Sequence, residues 1–429
     1  MATRTLFALA DGRRVGTVLA ENGIWSFEYD ADWARADDAF ALSPAFPLEG
    51  GKVIDGSNER PVQWFFDNLL PEEGMRAAMA REARTDGNDA WALLEYFGRE
   101  SAGALTLLTD AQQEPAGGKS PLSFDVLEKR IQAMPQHALT AAARKRMAAA
   151  GAQQKALVIL EGERPDYQLF EPEGAEPSMH ILKPDMRAAG YPHSAINEFF
   201  CMQLAKEMGL NVPNTHFLRV PSACYVVDRF DRDTGTTPAN RLHILDAVQL
   251  LGLDKSFKYR EATGDSLAKC LEKVSTRAVA RLSIFRWTVF NILIGNADAH
   301  LKNLSFFSTA KGYQLAPFYD LVSTVVYNTA TYHEGGERWP QCALTMQTGQ
   351  ARHFNEITRD NVLVFAQALG MRPTGAKKEL ETFLTGLDGK VARVRQHVVE
   401  IAHPDAGETR LLNSIMHMPI AEMSKALRG

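Results

Sequence analysis

Asp298 and Asn303 stand in D-x-x-x-x-N spacing within GNADAHLKNLSFF (295–307), just past an apolar helical run and just before the strand-like LSFF. In phosphoryl transfer a carboxylate accepts the hydroxyl proton while an amide oxygen holds Mg²⁺, and both must project from one loop into one cleft. Asp320 lies seventeen residues after Asn303, in YQLAPFYDLVST (313–324), at the end of the following strand. A second carboxylate there suits Mg²⁺, which prefers oxygen ligands and bridges nucleotide phosphates. Taken alone, the pair has a plainer use: Asp298 caps a turn and Asn303 satisfies a loop carbonyl. Lys183 closes the strand MHIL, where an ammonium can neutralise α and β phosphates if a carboxylate steadies it, and Glu198 on the next helix is the partner. A solvated strand-end lysine and a surface glutamate are the ordinary alternatives. Upstream, AAAGAQQK (148–155) precedes a strand, and its Gly151 lets backbone N–H groups approach phosphates. VVDRFDR (226–232) ends a strand where a hinge between lobes would fall; Phe230 either borders an adenine slot or belongs to a charged strand end.

The elements that must position these residues decide between the alternatives. Residues 2–30 read as a β-meander (TLFAL, VGTVLA, IWSFEY), followed by a helical stretch from about Gln63 to Tyr96, which makes an α+β module of about 105 residues. The Gly, Pro and polar density of DAQQEPAGGKSP (110–121) predicts a linker without a packed element. ALVILE, MHILKP and CYVVDRF carry apolar, partly β-branched runs expected of strands. Between the last two, SAINEFFCMQLAKEMGL reads as an amphipathic helix with Ser194 as N-cap and Gly209 as its stop. From about 243 the helical period dominates, clearest in RLSIFRWTVFNILIG, where Gly295 ends the helix. The tail beyond 356, with RDNVLVFAQALG and KVARVRQHVVEIA, is expected to form outer helices of the larger lobe. A loop, a Lys strand, a Glu helix, a hinge strand, a long helix, an Asp…Asn loop and a final Asp follow in the order of a bilobal, α+β protein-kinase-like fold. The expected division is 1–108, a linker at 109–122, an N-lobe at 123–232 and a helical C-lobe at 233–429.

Composition narrows the class without naming it. The 429 residues are 45% hydrophobic and 23% charged, which is ordinary globular usage. Lys and Arg total 47 against 52 for Asp and Glu, so no whole-chain attraction toward nucleic acid or anionic lipid arises. The run Arg144-Lys145-Arg146 reads as a solvated helix face, not a phosphate stripe. Cys201, Cys224, Cys270 and Cys342 lie far apart with no C-x-x-C pairing, which fits a reducing cytoplasm. No apolar run approaches a membrane span, and MATRTLFALADGRR has the wrong flanks for a signal peptide.

The sequence resembles the HipA family, bacterial serine/threonine kinases that act as toxins of toxin–antitoxin modules. FFDNLLPEE (65–73) and GRESAGAL (98–105) look like that family's N-terminal signatures, and GAQQK, ILKPD, NEFFCMQLAKEMGLNVP, DRFDR, NADAHLKN and APFYD follow in family order. The resemblance implies Asp298 as catalytic base, Asn303 and Asp320 as Mg²⁺ ligands, and Lys183, steadied by Glu198, on the ATP phosphates. It also implies Gly151, Ala152, Gln153 and Lys155 as the nucleotide loop, and Asp228, Arg229 and Phe230 as the adenine hinge. His300 and Lys302 would assist near the phosphates, with loop packing or solvent exposure as the alternative for both. The implied partners are ATP and Mg²⁺, a protein substrate such as an aminoacyl-tRNA synthetase, and a small helix-turn-helix, HipB-like antitoxin through which alone DNA is reached.

One position departs from the family pattern. A serine usually stands three residues before the loop glycine, and its autophosphorylation silences the kinase; here that position is Ala148. The chain is either a variant with the serine replaced or a natural member lacking the switch. ATP binding is expected to survive this change and self-inactivation at this position is not. Two other functions remain open to the sequence: a small-molecule phosphotransferase, since an Asp…Asn loop with a later metal-binding Asp also serves such enzymes, and a non-catalytic ATP-binding corepressor acting with a helix-turn-helix partner.

Overall fold

The computed structural model describes residues 3–109, 116–134, 136–140, 145, 153–187, 190–236, 238–332 and 336–429. Ala148, Gly151 and Ala152 fall outside them, as do Arg144 and Arg146.

Alternation of buried and exposed residues drives the meander: β1 (Arg4–Ala10), β2 (Arg13–Glu21) and β3 (Ile24–Tyr29) pair antiparallel. With β4 (Val53–Ile54) and β5 (Leu105–Leu108) they form a five-stranded sheet of order β4-β3-β2-β1-β5. The helical stretch splits into Pro61–Asp67, Glu73–Ala83 and Ala90–Phe97, whose Phe65, Phe66, Trp91 and Leu94 close the module's own core against Phe27 and Trp25.

A second sheet, six-stranded, carries the Lys strand. Its order is β10-β11-β9-β7-β8-β6, from β6 (Gly118–Pro121), β7 (Ala156–Glu161), β8 (Gln168–Glu173), β9 (His180–Pro184), β10 (Thr215–Arg219) and β11 (Ala223–Asp228). The presence of β6 corrects the linker expectation: Gly118–Pro121 pair with β8 at the sheet's edge, where a strand tolerates Gly and Pro because one side of its ladder needs no partner. The helix Ser194–Glu207 packs on β11 and β10. Ser194 is its first residue and not its cap; its hydroxyl accepts from Met186 N at 2.8 Å, while Asp185 accepts from Ala195 N at 2.8 Å and so caps the helix from the strand side. Gly209, at φ +83°, ends it as the spacing predicts.

The remainder is mostly helical, with a small sheet of Ile244–Asp246, Ser305–Thr309 and Gly312–Leu315 beside the long helix Arg277–Ile294. The tail divides: Arg359–Ala368 packs on Gly264–Lys273, and Pro373–Leu384 and Ala421–Arg428 pack on Arg277–Ile294, as outer helices of the larger lobe. Leu387–Ala402 instead lies along Ser194–Glu207 and β10, where Arg219 donates to Ala402 O at 2.9 Å. Its Val391, Val394 and Val398 repeat at helical spacing and find an apolar partner there. All four cysteines are buried and unpaired. Among the described residues no helix is long and apolar enough to cross a membrane.

Candidate active site

Lys183 is inward-facing near the end of β9, opposite Tyr225 of β11, and is only 5% exposed. Its ammonium donates to Glu198 Oε1 at 2.8 Å and also bonds Asp320 Oδ1. Neither residue is the solvated surface group of the plainer alternative. Burial alone would push the lysine down, but Asp320 and Glu198 outweigh it and raise its pKa. For Asp320, burial is likewise overcome by Lys183 and then Lys155, which bring the carboxyl down to about 2. Burial dominates at Glu198 and lifts it to about 7, Lys183 offsetting only part. Lys155 is buried nearby, and burial together with the Lys183 charge lowers it to about 8.

The loop that carries Asp298 is fastened by asparagines. Gly295, at φ +65°, turns the chain out of the long helix. Asn296 accepts from Asp298 N at 3.0 Å and donates to Asn291 Oδ1 at 2.8 Å, and its amide reaches Asp320 O at 3.5 Å. Asn303 donates its amide N–H to Asp298 O at 2.9 Å. That bond is the loop-carbonyl use foreseen as the alternative, yet it spends only the nitrogen; the amide oxygen remains for a cation. Asp298 is exposed, and its Oδ1 accepts from the Tyr259 phenol at 2.7 Å. Burial first, then the Asp298 charge, raise the Tyr259 pKa and keep it a donor. His300 is buried against Tyr259, their ring centroids 5.0 Å apart, and burial lowers its pKa so that the ring is neutral.

Lys302 is engaged in packing the loop. Its ammonium donates to Asn68 O at 3.2 Å, Asn68 Oδ1 at 2.8 Å and Asp246 Oδ2 at 2.7 Å, which uses the three N–H bonds of a lysine on protein acceptors. The side chains of Asp228, Arg229 and Phe230, expected at a hinge, are also engaged within the protein. Asp228 accepts from Asn214 at 3.1 Å and lies 2.9 Å from His216 Nε2. Arg229 is buried on Glu100, Asp231 and Ser101 O. Phe230 packs on Tyr319, next to Asp320, with centroids 5.6 Å apart. Gln153 reaches Pro184 O at 3.5 Å. The cluster of His180, His216 and Asp228 has metal-ligand spacing, with both imidazoles turned toward the Asp228 carboxylate. His180 Nδ1 accepts from Leu160 N at 3.0 Å, so the neutral ring's proton sits on Nε2, facing Asp228, and offers no lone pair there.

Lys145 corrects the expectation of a solvated face: it is buried, with its ammonium 2.9 Å from Glu100 Oε2 and 3.0 Å from Glu176 O. Glu100 also takes Arg232 at 3.0 Å, so one carboxylate from GRESAGAL answers three cations. Sequence reasoning missed Tyr259, Asn296 and the roles of Asn68, Glu72 and Glu100. Their motifs were visible, but no spacing rule ties residue 68 to 302 or residue 100 to 229.

A lysine steadied by a helix glutamate, with an aspartate within its reach that lies not at a strand end but five residues past the strand Gly312–Leu315, is how kinases handle nucleotide charge, and the fold and site define that class. Residues 147–391 match the HipA-like C-terminal domain, and residues 6–108 the HipA N-terminal domain. The chain is 32% identical over 323 residues to the serine/threonine-protein kinase toxin HipA of Shewanella oneidensis, covering 71% of each. It is 30% identical to Y4mE of Sinorhizobium fredii over 416 residues, 94% of each. Its fold aligns with the HipA chain solved with HipB and operator DNA from Shewanella oneidensis, at a TM-score of 0.81 and 25% identity, covering 99% of this chain and 97% of that one. The chain belongs to the HipA family and is a HipA-like serine/threonine-protein kinase toxin.

Proposed function

We propose that this kinase transfers the γ-phosphate of Mg-ATP to a protein hydroxyl, with Asp298 as the proton acceptor. The observation that carries this is Lys183 held between Glu198 and Asp320. The donor set fits Mg²⁺: a carboxylate kept ionised at Asp320 and an amide oxygen left over at Asn303 are hard oxygen ligands. Bound there, Mg²⁺ would neutralise charge on the phosphates. Lys183 would orient the α and β phosphates, and Asp298, exposed at the loop, would receive the proton of the attacking hydroxyl. The segment Gly151, Ala152, Gln153 and Lys155 would line the phosphates, and the backbone of Asp228, Arg229 and Phe230 would border adenine, since the side chains of Asp228 and Arg229 are engaged elsewhere. We place the functional boundaries at 1–108, 109–122, 123–232 and 233–429, the second segment lending its strand Gly118–Pro121 to the sheet of the third.

The acceptor is proposed to be an aminoacyl-tRNA synthetase in the cytoplasm, on the strength of the family resemblance. A small HipB-like antitoxin is the proposed partner, with DNA reached through it; the solved relative's complex with HipB and operator DNA supports this.

Asp298→Ala, Asp320→Ala and Lys183→Ala are each expected to reduce phosphate transfer from Mg-ATP at least a hundredfold, roughly 3 kcal/mol of transition-state stabilisation. Circular dichroism should show a retained fold, because these groups handle charge and do not fill the core. Full transfer by all three would defeat the assignment.

A further inference from the structure

We propose that the first module takes part in phosphate transfer by bracing the Asp298–Asn303 loop, with Asn68 and Glu72 of FFDNLLPEE as positioning residues. The inference rests on the assignment of that loop as catalytic.

Asn68 sits at the C-terminal cap of the helix Pro61–Asp67, where its amide N–H donates to Trp64 O at 2.9 Å. That bond fixes the side chain so that Oδ1 points outward, and both Oδ1 and the Asn68 carbonyl receive the Lys302 ammonium. Lys302 lies in the single turn Leu301–Asn303 that ends on the proposed metal ligand, and its own carbonyl accepts from the Tyr319 phenol at 2.7 Å, one residue before Asp320. Holding Lys302 therefore holds both proposed cation ligands. Glu72 works on the other side. It pairs with Lys258, lies 3.8 Å from Lys302, and is buried with both. Lys258 O accepts from Leu301 N at 3.2 Å, and the next residue, Tyr259, donates to Asp298.

Two lysines of the kinase are thus matched by Glu72 and Asp246, with Asn68 completing the coordination. Removing a partner from such a buried set leaves an uncompensated cation beside the loop. A loop displaced by about an ångström loses the near-attack geometry of Asp298, while most of the nucleotide affinity, which Lys183 and the segment before β7 would supply, persists.

The test uses the full chain with Asn68→Ala, Glu72→Gln and Asp298→Ala. Readouts are Mg-ATP binding by calorimetry, transfer from Mg-ATP to casein, thermal melting, and hydrogen–deuterium exchange of the 296–304 peptide without nucleotide. For Asn68→Ala and Glu72→Gln the expected result is a folded protein with ATP affinity within threefold. Its kcat should fall at least tenfold with a threefold or smaller change in KM, and the 296–304 peptide should exchange faster. Glu72→Asp should recover part of the loss. Unchanged kcat and exchange in both variants, with Asp298→Ala inactive, would overturn the brace and leave the kinase assignment standing. Retained transfer in Asp298→Ala would instead strike the assignment, while faster exchange would still support the brace. Global unfolding of both variants would make the two residues merely structural and would also overturn it.

Discussion

Lys183 answers two carboxylates, and they divide its charge unequally. Asp320, brought down to about 2, is ionised throughout the working range, whereas Glu198, burial outweighing its share of the lysine, titrates near 7. As pH falls through about 7, Glu198 takes up a proton, becomes neutral and ceases to steady the ammonium as a charged partner. The kcat/KM of the free enzyme should therefore lose activity on the acid side with a midpoint near 7, and a pH–rate series from 5.5 to 9 measures it. Glu198→Gln should lower the plateau and abolish that limb; a limb that persists unchanged would assign it to another group. Lys183, Glu198 and Asp320 were all found from residue type and order. The pairing of Lys183 with Glu198 was expected from strand and helix order, but the contact of Asp320 with Lys183 was not, because 137 residues separate them.

At the scale of elements, the long helix and its stop were legible: the apolar period ran to Ile294, and Gly295 ended it. The need for glycine is stricter than helix termination requires. A Cβ at Gly295 would fall on Val325 Cγ2 and within 2.8 Å of Pro419 Cβ, at a φ of +65°. The Gly295 carbonyl also receives Thr324 N and Val325 N, both at 3.1 Å, so the glycine joins the loop to the segment after Asp320. Gly295→Ala should cost about 2–4 kcal/mol by urea denaturation, combining left-handed strain with overpacking. A loss below about 1 kcal/mol would show that Val325 and Pro419 yield easily. The edge strand Gly118–Pro121 was illegible for the opposite reason. Its composition is that of a loop, and only pairing with β8 makes it a strand, a tertiary decision that local preference does not contain.

Across the whole molecule, two buried charged clusters stand among the polar contacts that join the first module to the kinase. One is the Asn68–Glu72 brace; the other is Glu100, which gathers Lys145, Arg229 and Arg232. The signatures FFDNLLPEE and GRESAGAL pointed to the family, but their partners lie 45 to 234 residues away and no period links them. Glu100→Ala would leave three buried cations short of a carboxylate, and a stability loss of about 3–5 kcal/mol is expected from chemical denaturation. A change within about 0.5 kcal/mol, the range of surface substitutions, would mean that Asp231 neutralises the cluster unaided.

The four enclosed sulfhydryls carry a practical consequence. Burial raises the pKa of each, so little thiolate exists at neutral pH to react with alkylating reagents. Cys201 lies on the Glu198 helix, Cys270 in the helix Gly264–Lys273 and Cys224 on the hinge strand, so maleimide capture at each would act as a local clock for excursions of the native chain.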